Sequence, residues 1–127
     1  MGKILIVEDF EEMRDLLPSA MVVYGFKRGD IITAADGGEA LDKLECESID
    51  VMALDMAIPK MNGTSVLKMM EQKDLFKRTR VVVFSAHSEM HEFVEEMAKR
   101  LGIEIPFLDR PVDPKLLADT IKRLRQI

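Results

Sequence analysis

One apolar run, Asp50-Val-Met-Ala-Leu-Asp55, has the composition of a short buried strand and ends in a carboxylate. A second run, Lys3-Ile-Leu-Ile-Val7, ends in the same way with Glu8 and Asp9. If the two runs are neighbouring parallel strands, three acidic side chains meet at one edge of the sheet. Such a cluster costs electrostatic free energy and should raise at least one pKa, unless a divalent cation neutralises it. The pattern therefore predicts a metal site made of Glu8, Asp9 and Asp55.

Five short apolar or β-branched runs alternate with five segments of helical period, which is the pattern of an α/β domain with a parallel sheet. The predicted strands are 3–7, 30–35, 50–54, 80–85 and 104–108. The first and third are almost wholly apolar, as central strands covered on both faces are, whereas the mixed second run suits an edge. Right-handed crossovers leave few topologies. We expect a doubly wound, five-stranded parallel sheet of flavodoxin-like order 2-1-3-4-5, with helices on both faces and the acidic cluster at its topological switch point.

Local signals support this arrangement of helices. The stretch Asp36-Gly-Gly-Glu39 is typical of a capping box, and Asp113 precedes a proline at a first helical position. Pro18 falls inside the first helical segment, where it should remove a backbone hydrogen bond and bend the helix.

Composition limits the class of protein. With 127 residues, 47% hydrophobic and 32% charged, the chain is expected to form one domain over residues 1–127. No apolar stretch approaches the roughly 20 residues of a membrane span, so we expect no membrane contact. The single Cys46 allows no intramolecular disulfide and, with no signal peptide ahead of Lys3, favours the cytoplasm. The net charge of −5 argues against direct nucleic acid binding.

Two further strand ends add polar groups at the same edge of the sheet, because Ser85 closes one run and Arg110 follows the last. With them, the chain resembles a response regulator receiver domain over nearly its whole length. Four signatures in the right order and spacing carry this resemblance: Ile4-Leu-Ile-Val-Glu-Asp9, Leu54-Asp-Met-Ala-Ile-Pro-Lys-Met-Asn-Gly63, Phe84-Ser-Ala-His87 and Arg110-Pro111.

The resemblance implies a phosphoacceptor switch of two-component signal transduction and phosphorelays. Asp55 matches the aspartate that takes a phosphoryl group from a histidine kinase and becomes an aspartyl phosphate. Asp9 and Asp55 would ligate Mg²⁺ together with the backbone carbonyl of Ala57, and Glu8 would act through a metal-bound water. Such a protein is a non-enzymatic signalling switch that promotes its own phosphorylation and dephosphorylation.

Other positions match the family's phosphate-proximal and switch residues. Ser85 matches the hydroxyl that hydrogen-bonds the new phosphoryl group, and Ala86 supplies a backbone N–H beside it. Phe107 matches the switch aromatic, which rotates when that hydroxyl moves. His87 and Ala57 occupy the two positions that tune access of water to the acyl phosphate.

Arg110 departs from the family pattern, which has lysine there. Arginine keeps the charge but brings a larger planar fork, which would pair bidentately with Asp55, swing outward, or form only a weak surface salt bridge. Pro111 matches a proline whose preceding peptide bond is cis in the family, and we expect the same here. Glu8 stands where aspartate is commoner.

The resemblance also implies partners. A sensor histidine kinase or phosphotransfer protein would supply phosphate, and a downstream protein target would read the face made of helix 4, strand 5 and helix 5. A phosphorylation-dependent dimer is a further expectation. We expect a stand-alone receiver or, if the sequence is a piece of a longer protein, the same switch with another output.

Several alternatives stay open at this point. One is a phosphorylation-independent pseudo-receiver that serves as an interaction module, which Arg110 favours. Another is a flavodoxin-like nucleotide or flavin binder, or a metal-dependent phosphatase. The acidic loop 8–12 argues against the nucleotide or flavin binder, because it lacks a glycine-rich turn that would hold phosphate. Ala57 argues against the phosphatase, because it stands where a second aspartate would be needed. Taken singly, Asp9 would be an ordinary cap of the first helix and Asp55 would cap its own turn.

Overall fold

The computed structural model describes residues 2–86 and 89–126. Its five strands are β1 (Lys3–Val7), β2 (Ile31–Ala34), β3 (Ile49–Asp55), β4 (Arg80–Ser85) and β5 (Phe107–Asp109). All pair in parallel, in the order β2-β1-β3-β4-β5. The predicted fold class and strand order are therefore confirmed.

Five α-helices connect and cover the strands: α1 (Glu11–Val23), α2 (Gly37–Cys46), α3 (Gly63–Gln72), α4 (Glu89–Leu101) and α5 (Pro114–Arg125). Short 3₁₀ turns lie at Arg28–Asp30 and Leu75–Lys77. Within residues 2–86 and 89–126, no helix combines the length and the apolar composition that crossing a bilayer would require.

Two hydrophobic clusters lie on opposite faces of the sheet. Leu5 and Leu54 pack with α2, α3 and α4 on one face, while Ile4 and Ala53 pack with α1 and α5 on the other. Alternate residues of one strand thus enter different cores, which is why β1 and β3 are apolar throughout. Full burial of a Leu or Ile side chain contributes about 1.5–3 kcal/mol, so this burial stabilises the two central strands whose ends carry the acidic residues.

The predicted helix starts are confirmed by their hydrogen bonds. The Asp36 carboxylate accepts from the Glu39 N–H at 2.9 Å, and the Asp113 carboxylate accepts from the Lys115 N–H at 3.0 Å. Helix α1 continues through Pro18, whose ring is buried, so the proline does not end it.

The predicted boundaries of the last strand were wrong. We expected 104–108, but β5 covers only Phe107–Asp109. Pro106 explains the late start, because proline has no N–H to donate and contributes to the ladder only through its carbonyl, which accepts from the Val83 N–H at 2.9 Å. The second strand is also shorter than the predicted 30–35 by one residue at each end.

Candidate functional site

Three carboxylates converge where β1 and β3 end. The two strands pair with Val7 opposite Leu54, so the next residues, Glu8 and Asp55, lie side by side at the carboxyl edge of the sheet. Glu8 and Asp55 are only 1% and 2% exposed, whereas Asp9 faces solvent. One oxygen from each of the three side chains lies within 4.8 Å of the others. The predicted acidic cluster therefore exists, and two of its members are buried.

The Glu8 carboxylate is held by donors on both oxygens. Its Oε1 accepts from the Phe10 N–H at 3.2 Å, and its Oε2 accepts from Nη2 of Arg110. Burial raises the pKa of Glu8, and the nearby charge of Asp55 raises it further, against the opposing effects of Arg110 and the backbone donor. Burial and the neighbouring negative charge therefore disfavour the ionised form of Glu8.

The loop after β1 is fixed by a residue of the first helix. Nη1 of Arg14 donates to the backbone carbonyls of Glu8 and Asp9, each at 3.0 Å. Asp9 does not cap α1, because the residue before the helix is Phe10, which makes no side-chain cap. The simple capping interpretation of Asp9 is therefore wrong.

Asp55 closes β3 and is also held at both oxygens. Its Oδ1 accepts from the Ala57 N–H at 3.0 Å, and its Oδ2 accepts from Nη2 of Arg110 at 2.6 Å. The first contact is the local turn that the simple interpretation of this aspartate predicted. The second contact ties Asp55 to a residue that lies 55 positions away, which a turn residue does not require.

Arg110 follows β5 and reaches back across the sheet edge. Its backbone N–H donates to the Ser85 carbonyl at 3.3 Å, and its peptide bond with Pro111 is cis, the geometry that the resemblance implies. One nitrogen, Nη2, bridges Glu8 and Asp55, and the guanidinium carbon lies 5.2 Å from the ring centre of Phe84. The side chain is 26% exposed. Arg110 therefore neither points outward nor forms a weak surface salt bridge. It also does not pair bidentately with Asp55, because one of its nitrogens bridges Asp55 and Glu8.

The remaining predicted residues lie around the same edge. Ser85 closes β4 and is buried, while Ala57 and Ala86 are exposed. Phe107, at the start of β5, is half-buried and packs its ring 4.8 Å from the ring of His91 on α4. His87 lies outside the described residues.

A family model for the response regulator receiver domain matches residues 4–122. The chain belongs to this family. It is therefore a receiver domain of two-component signalling. The four signatures and the acidic edge of the sheet agree with that membership.

Curated relatives show the same relationship. Sporulation initiation phosphotransferase F of Bacillus subtilis is 35% identical over 121 residues, which cover 95% of this chain and 91% of that protein. Alkaline phosphatase synthesis transcriptional regulatory protein PhoP of the same organism is 33% identical, over 96% of this chain and 48% of that protein. This receiver domain thus spans about half the length of the transcriptional regulators that it matches.

Solved structures show the same fold. The response regulator TrrA of Thermotoga maritima, solved in complex with Mg²⁺-BeF, superposes with a TM-score of 0.79 at 25% identity, over 98% of this chain and 99% of that one. The chemotaxis response regulator CheY4 of Vibrio cholerae has a TM-score of 0.78 at 27% identity, with 98% of both chains covered.

The loop that follows Asp55 in this receiver domain is anchored at two glycines. A Cβ on Gly63 would lie 2.6 Å from Cα of Met56, and a Cβ on Gly37 would lie 2.0 Å from the Met61 carbonyl oxygen. Lys60 adopts a φ of 65° and places its amine 3.4 Å from the Asp36 carboxylate. Close backbone contact therefore joins the loop to the first turns of α2 and α3.

Sequence reasoning missed three contributors to the receiver site. Arg14 looked like an ordinary helix residue, although its place five residues after Asp9 was a usable signal. Phe84 was noted only as part of a strand motif, and nothing in the sequence indicated its ring contact with Arg110. Asp36 was predicted as a cap, without its link to the loop of Lys60.

Proposed function

We propose that this receiver domain is a Mg²⁺-dependent phosphoacceptor switch, with Asp55 as the residue that takes the phosphoryl group. One observation carries the proposal most: a buried aspartate stands at the switch point of the sheet, with Glu8 and Asp9 close enough to share a cation with it. A histidine kinase or a phosphotransfer protein is the donor that this chemistry suits.

The donor set fits a hard divalent cation. Mg²⁺ prefers oxygen ligands and few carboxylates, with water completing its octahedron. Glu8, Asp9 and Asp55 would hold the ion, together with the carbonyl of Ala57. When bound, the ion neutralises charge on the oxygens of the phosphoryl group that is transferred.

The carboxylate of Asp55 acts as the nucleophile. One of its oxygens forms a bond to phosphorus while the bond between phosphorus and the donor's imidazole nitrogen breaks, and the electron pair stays on that nitrogen. The exposed Ala57 leaves the approach to Asp55 open from solvent. When water attacks the same phosphorus, the bond between phosphorus and the Asp55 oxygen breaks, and inorganic phosphate leaves while the free aspartate returns. The chain would thus promote its own phosphorylation and dephosphorylation and remain a switch without turnover on other substrates.

Three groups of the chain are suited to hold the new phosphoryl group. Ser85 is the last residue of β4 and Ala86 follows it, so the Ser85 hydroxyl and the Ala86 N–H lie next to the end of β3. The guanidinium of Arg110 is already within hydrogen-bond distance of Asp55 and offers charged donors. These contacts would be stronger to a phosphoryl group than to the carboxylate, because the phosphoryl group carries more negative charge.

The output is a change of partner affinity through α4, β5 and α5. Phe107 links the site to this face, because it lies on the strand that leads to Arg110 and packs against His91 of α4. Phosphorylation would act by stabilising one of two arrangements of these elements. The proposal treats residues 1–127 as one cytoplasmic domain. Its direct ligand is a protein target, and neither nucleic acid nor a membrane. A phosphorylation-dependent dimer is one form that the output would take.

Arg110 favours the pseudo-receiver as the second candidate. Its bridge already satisfies both buried acids, so the fold is complete without phosphate. The same residues would then serve only stability, and the interaction face would be constitutive.

Beryllofluoride binding separates the two candidates, because BeF₃⁻ forms a complex with a carboxylate that mimics an acyl phosphate. We expect bound ¹⁹F resonances for the wild-type chain with Mg²⁺, and none for Asp55→Asn or for metal-free protein. Absence of bound resonances from folded wild-type protein with Mg²⁺ present would favour the pseudo-receiver.

A further inference from the structure

Arg14 holds three successive backbone carbonyls in the turn between β1 and α1. Nη1 of its guanidinium donates to the carbonyls of Glu8 and Asp9, each at 3.0 Å, and its backbone N–H donates to the carbonyl of Phe10 at 2.9 Å. We propose that Arg14 is a positioning residue for the divalent cation, because it fixes the backbone that carries two of the three acidic ligands. The inference rests on the metal site proposed above.

The turn needs hydrogen-bond donors from elsewhere in the chain. Glu8 and Asp9 follow the last residue of β1, so their carbonyls lie beyond the strand, and Phe10 before α1 has no side-chain oxygen that could cap the helix. Backbone carbonyls that neither a strand nor a helix satisfies are paired by side chains or by water. Arg14, the fourth residue of α1, pairs two of them with one nitrogen and so ties the helix to the end of the strand.

A fixed backbone favours binding of the ion. Asp55 is placed by β3 and Glu8 is buried, but Asp9 is exposed, so the position of its carboxylate depends on the backbone of the turn. Without Arg14, binding of the ion would have to order this segment, and that cost would be measured as a weaker affinity. Groups that orient the ligands of a metal in this way typically change its affinity by about 10- to 100-fold.

The charge of Arg14 has the opposite effect on affinity. A guanidinium beside the acidic cluster repels a divalent cation, so removal of the charge alone would tighten binding, or leave it unchanged where solvent screens the pair. Positioning predicts weaker binding after the same substitution. The sign of the change therefore separates the two effects.

Calorimetric titration with MgCl₂ at fixed ionic strength tests the proposal without phosphorylation. Arg14→Met keeps an apolar stem but removes the donors to Glu8 and Asp9, and we expect its Kd for Mg²⁺ to rise by about tenfold. Arg14→Lys keeps the charge and a donor group, and should bring the Kd back to within about threefold of the wild-type value.

Arg28→Met is the matched control. Nη1 of Arg28 also donates to a backbone carbonyl, that of Ile31 at 3.2 Å, but this contact lies at the start of β2 and so at the opposite edge of the sheet. The variant loses the same charge and the same kind of hydrogen bond, and its Kd should stay within about twofold of the wild-type value.

Equal or tighter Mg²⁺ binding by folded Arg14→Met would overturn the proposal and leave the metal site itself standing. An equal loss of affinity in Arg28→Met, or no recovery in Arg14→Lys, would overturn it as well. Failure of the folded wild-type protein to bind Mg²⁺ would overturn both the proposal and the metal site. If circular dichroism shows that Arg14→Met does not fold, the shorter and uncharged Arg14→Gln decides: weaker binding supports the proposal, and unchanged or tighter binding overturns it.

Discussion

Nη2 of Arg110 lies 2.6 Å from Oδ2 of Asp55, so a residue after the edge strand β5 is tied to the end of the central strand β3. Strand β4 separates the two in the sheet, and its Phe84 lies beneath the guanidinium. The contact therefore joins three strand ends. Asp55 is buried whereas the Arg110 side chain is 26% exposed, so removal of the arginine costs less than the roughly 3–5 kcal/mol of a fully buried pair.

The pH dependence of stability should show the raised pKa of Glu8. In metal-free protein the folded state keeps a proton on Glu8 at pH values above its ordinary pKa of 4.5, because burial and Asp55 raise that pKa. The stabilisation that comes from protonated Glu8 is fully present below the ordinary pKa of 4.5, and it is lost as the pH rises through the raised pKa of the folded state. Relative to wild type, Glu8→Gln should therefore gain stability with rising pH, as measured by urea unfolding in chelator.

Glu104 provides a control of opposite sign. Its hydrogen bond with Arg123 lowers its pKa, so its stabilising contribution is present at neutral pH and is lost as pH falls through the lowered value. Glu104→Gln should lose stability relative to wild type as pH rises. The same trend for both variants would contradict this account of Glu8.

The loop after Asp55 should not tolerate a side chain at Gly63. In Gly63→Ala the new Cβ would meet the backbone of Met56, and we expect a loss of about 1–3 kcal/mol in the free energy of unfolding. Gly29→Ala is the matched control, since no atom lies within 4 Å of its added Cβ. Equal stability of the two variants by chemical denaturation would show that the loop is not packed as described.

Asp36 should stabilise both α2 and that loop. Asp36→Ala removes the cap on the Glu39 N–H and the partner of Lys60, and should cost about 1 kcal/mol at neutral pH. The hydrogen bond from Glu39 lowers the pKa of Asp36, so the deficit should shrink as acid protonates the wild-type carboxylate. A deficit that is independent of pH in urea unfolding would argue against the charged cap. Lys60→Met, which removes only an exposed amine, should change stability little.

His91 should report movement of Phe107. Their ring centres lie 4.8 Å apart, so any rotation of Phe107 changes the ring-current shift at the imidazole. We expect the His91 Cε1–H resonance to move when BeF₃⁻ and Mg²⁺ are added, and to stay in place in Asp55→Asn. The chain has two histidines, and His91→Gln assigns the signal. If the resonance stays in place in protein that has bound BeF₃⁻, Phe107 does not rotate and is not part of the switch.

The sheet order and the acidic cluster could be predicted from sequence because both follow from local patterns. Apolar runs mark the central strands, and the carboxyl ends of parallel strands meet at one edge, so Glu8, Asp9 and Asp55 had to converge. The start of β5 could not be placed, because the strand-like run from residue 104 hides the effect of Pro106 on the ladder.

The arrangement of Arg110 was beyond sequence reasoning for a different reason. Its side chain has several rotatable bonds, and its choice between solvent, Asp55 and Glu8 depends on the distance between two strand ends and on the ring of Phe84. Residues from three strands fix that geometry together, and none of them signals it alone.

The central claim is that Asp55 accepts a phosphoryl group, and intact-protein mass tests it most directly. The chain is incubated with Mg²⁺ and acetyl phosphate, beside Asp55→Asn and a metal-free sample. A gain of one phosphoryl group in the wild-type chain, absent from both controls, is the result that we predict. No gain by folded wild-type protein with bound Mg²⁺, or an equal gain in Asp55→Asn, would contradict it.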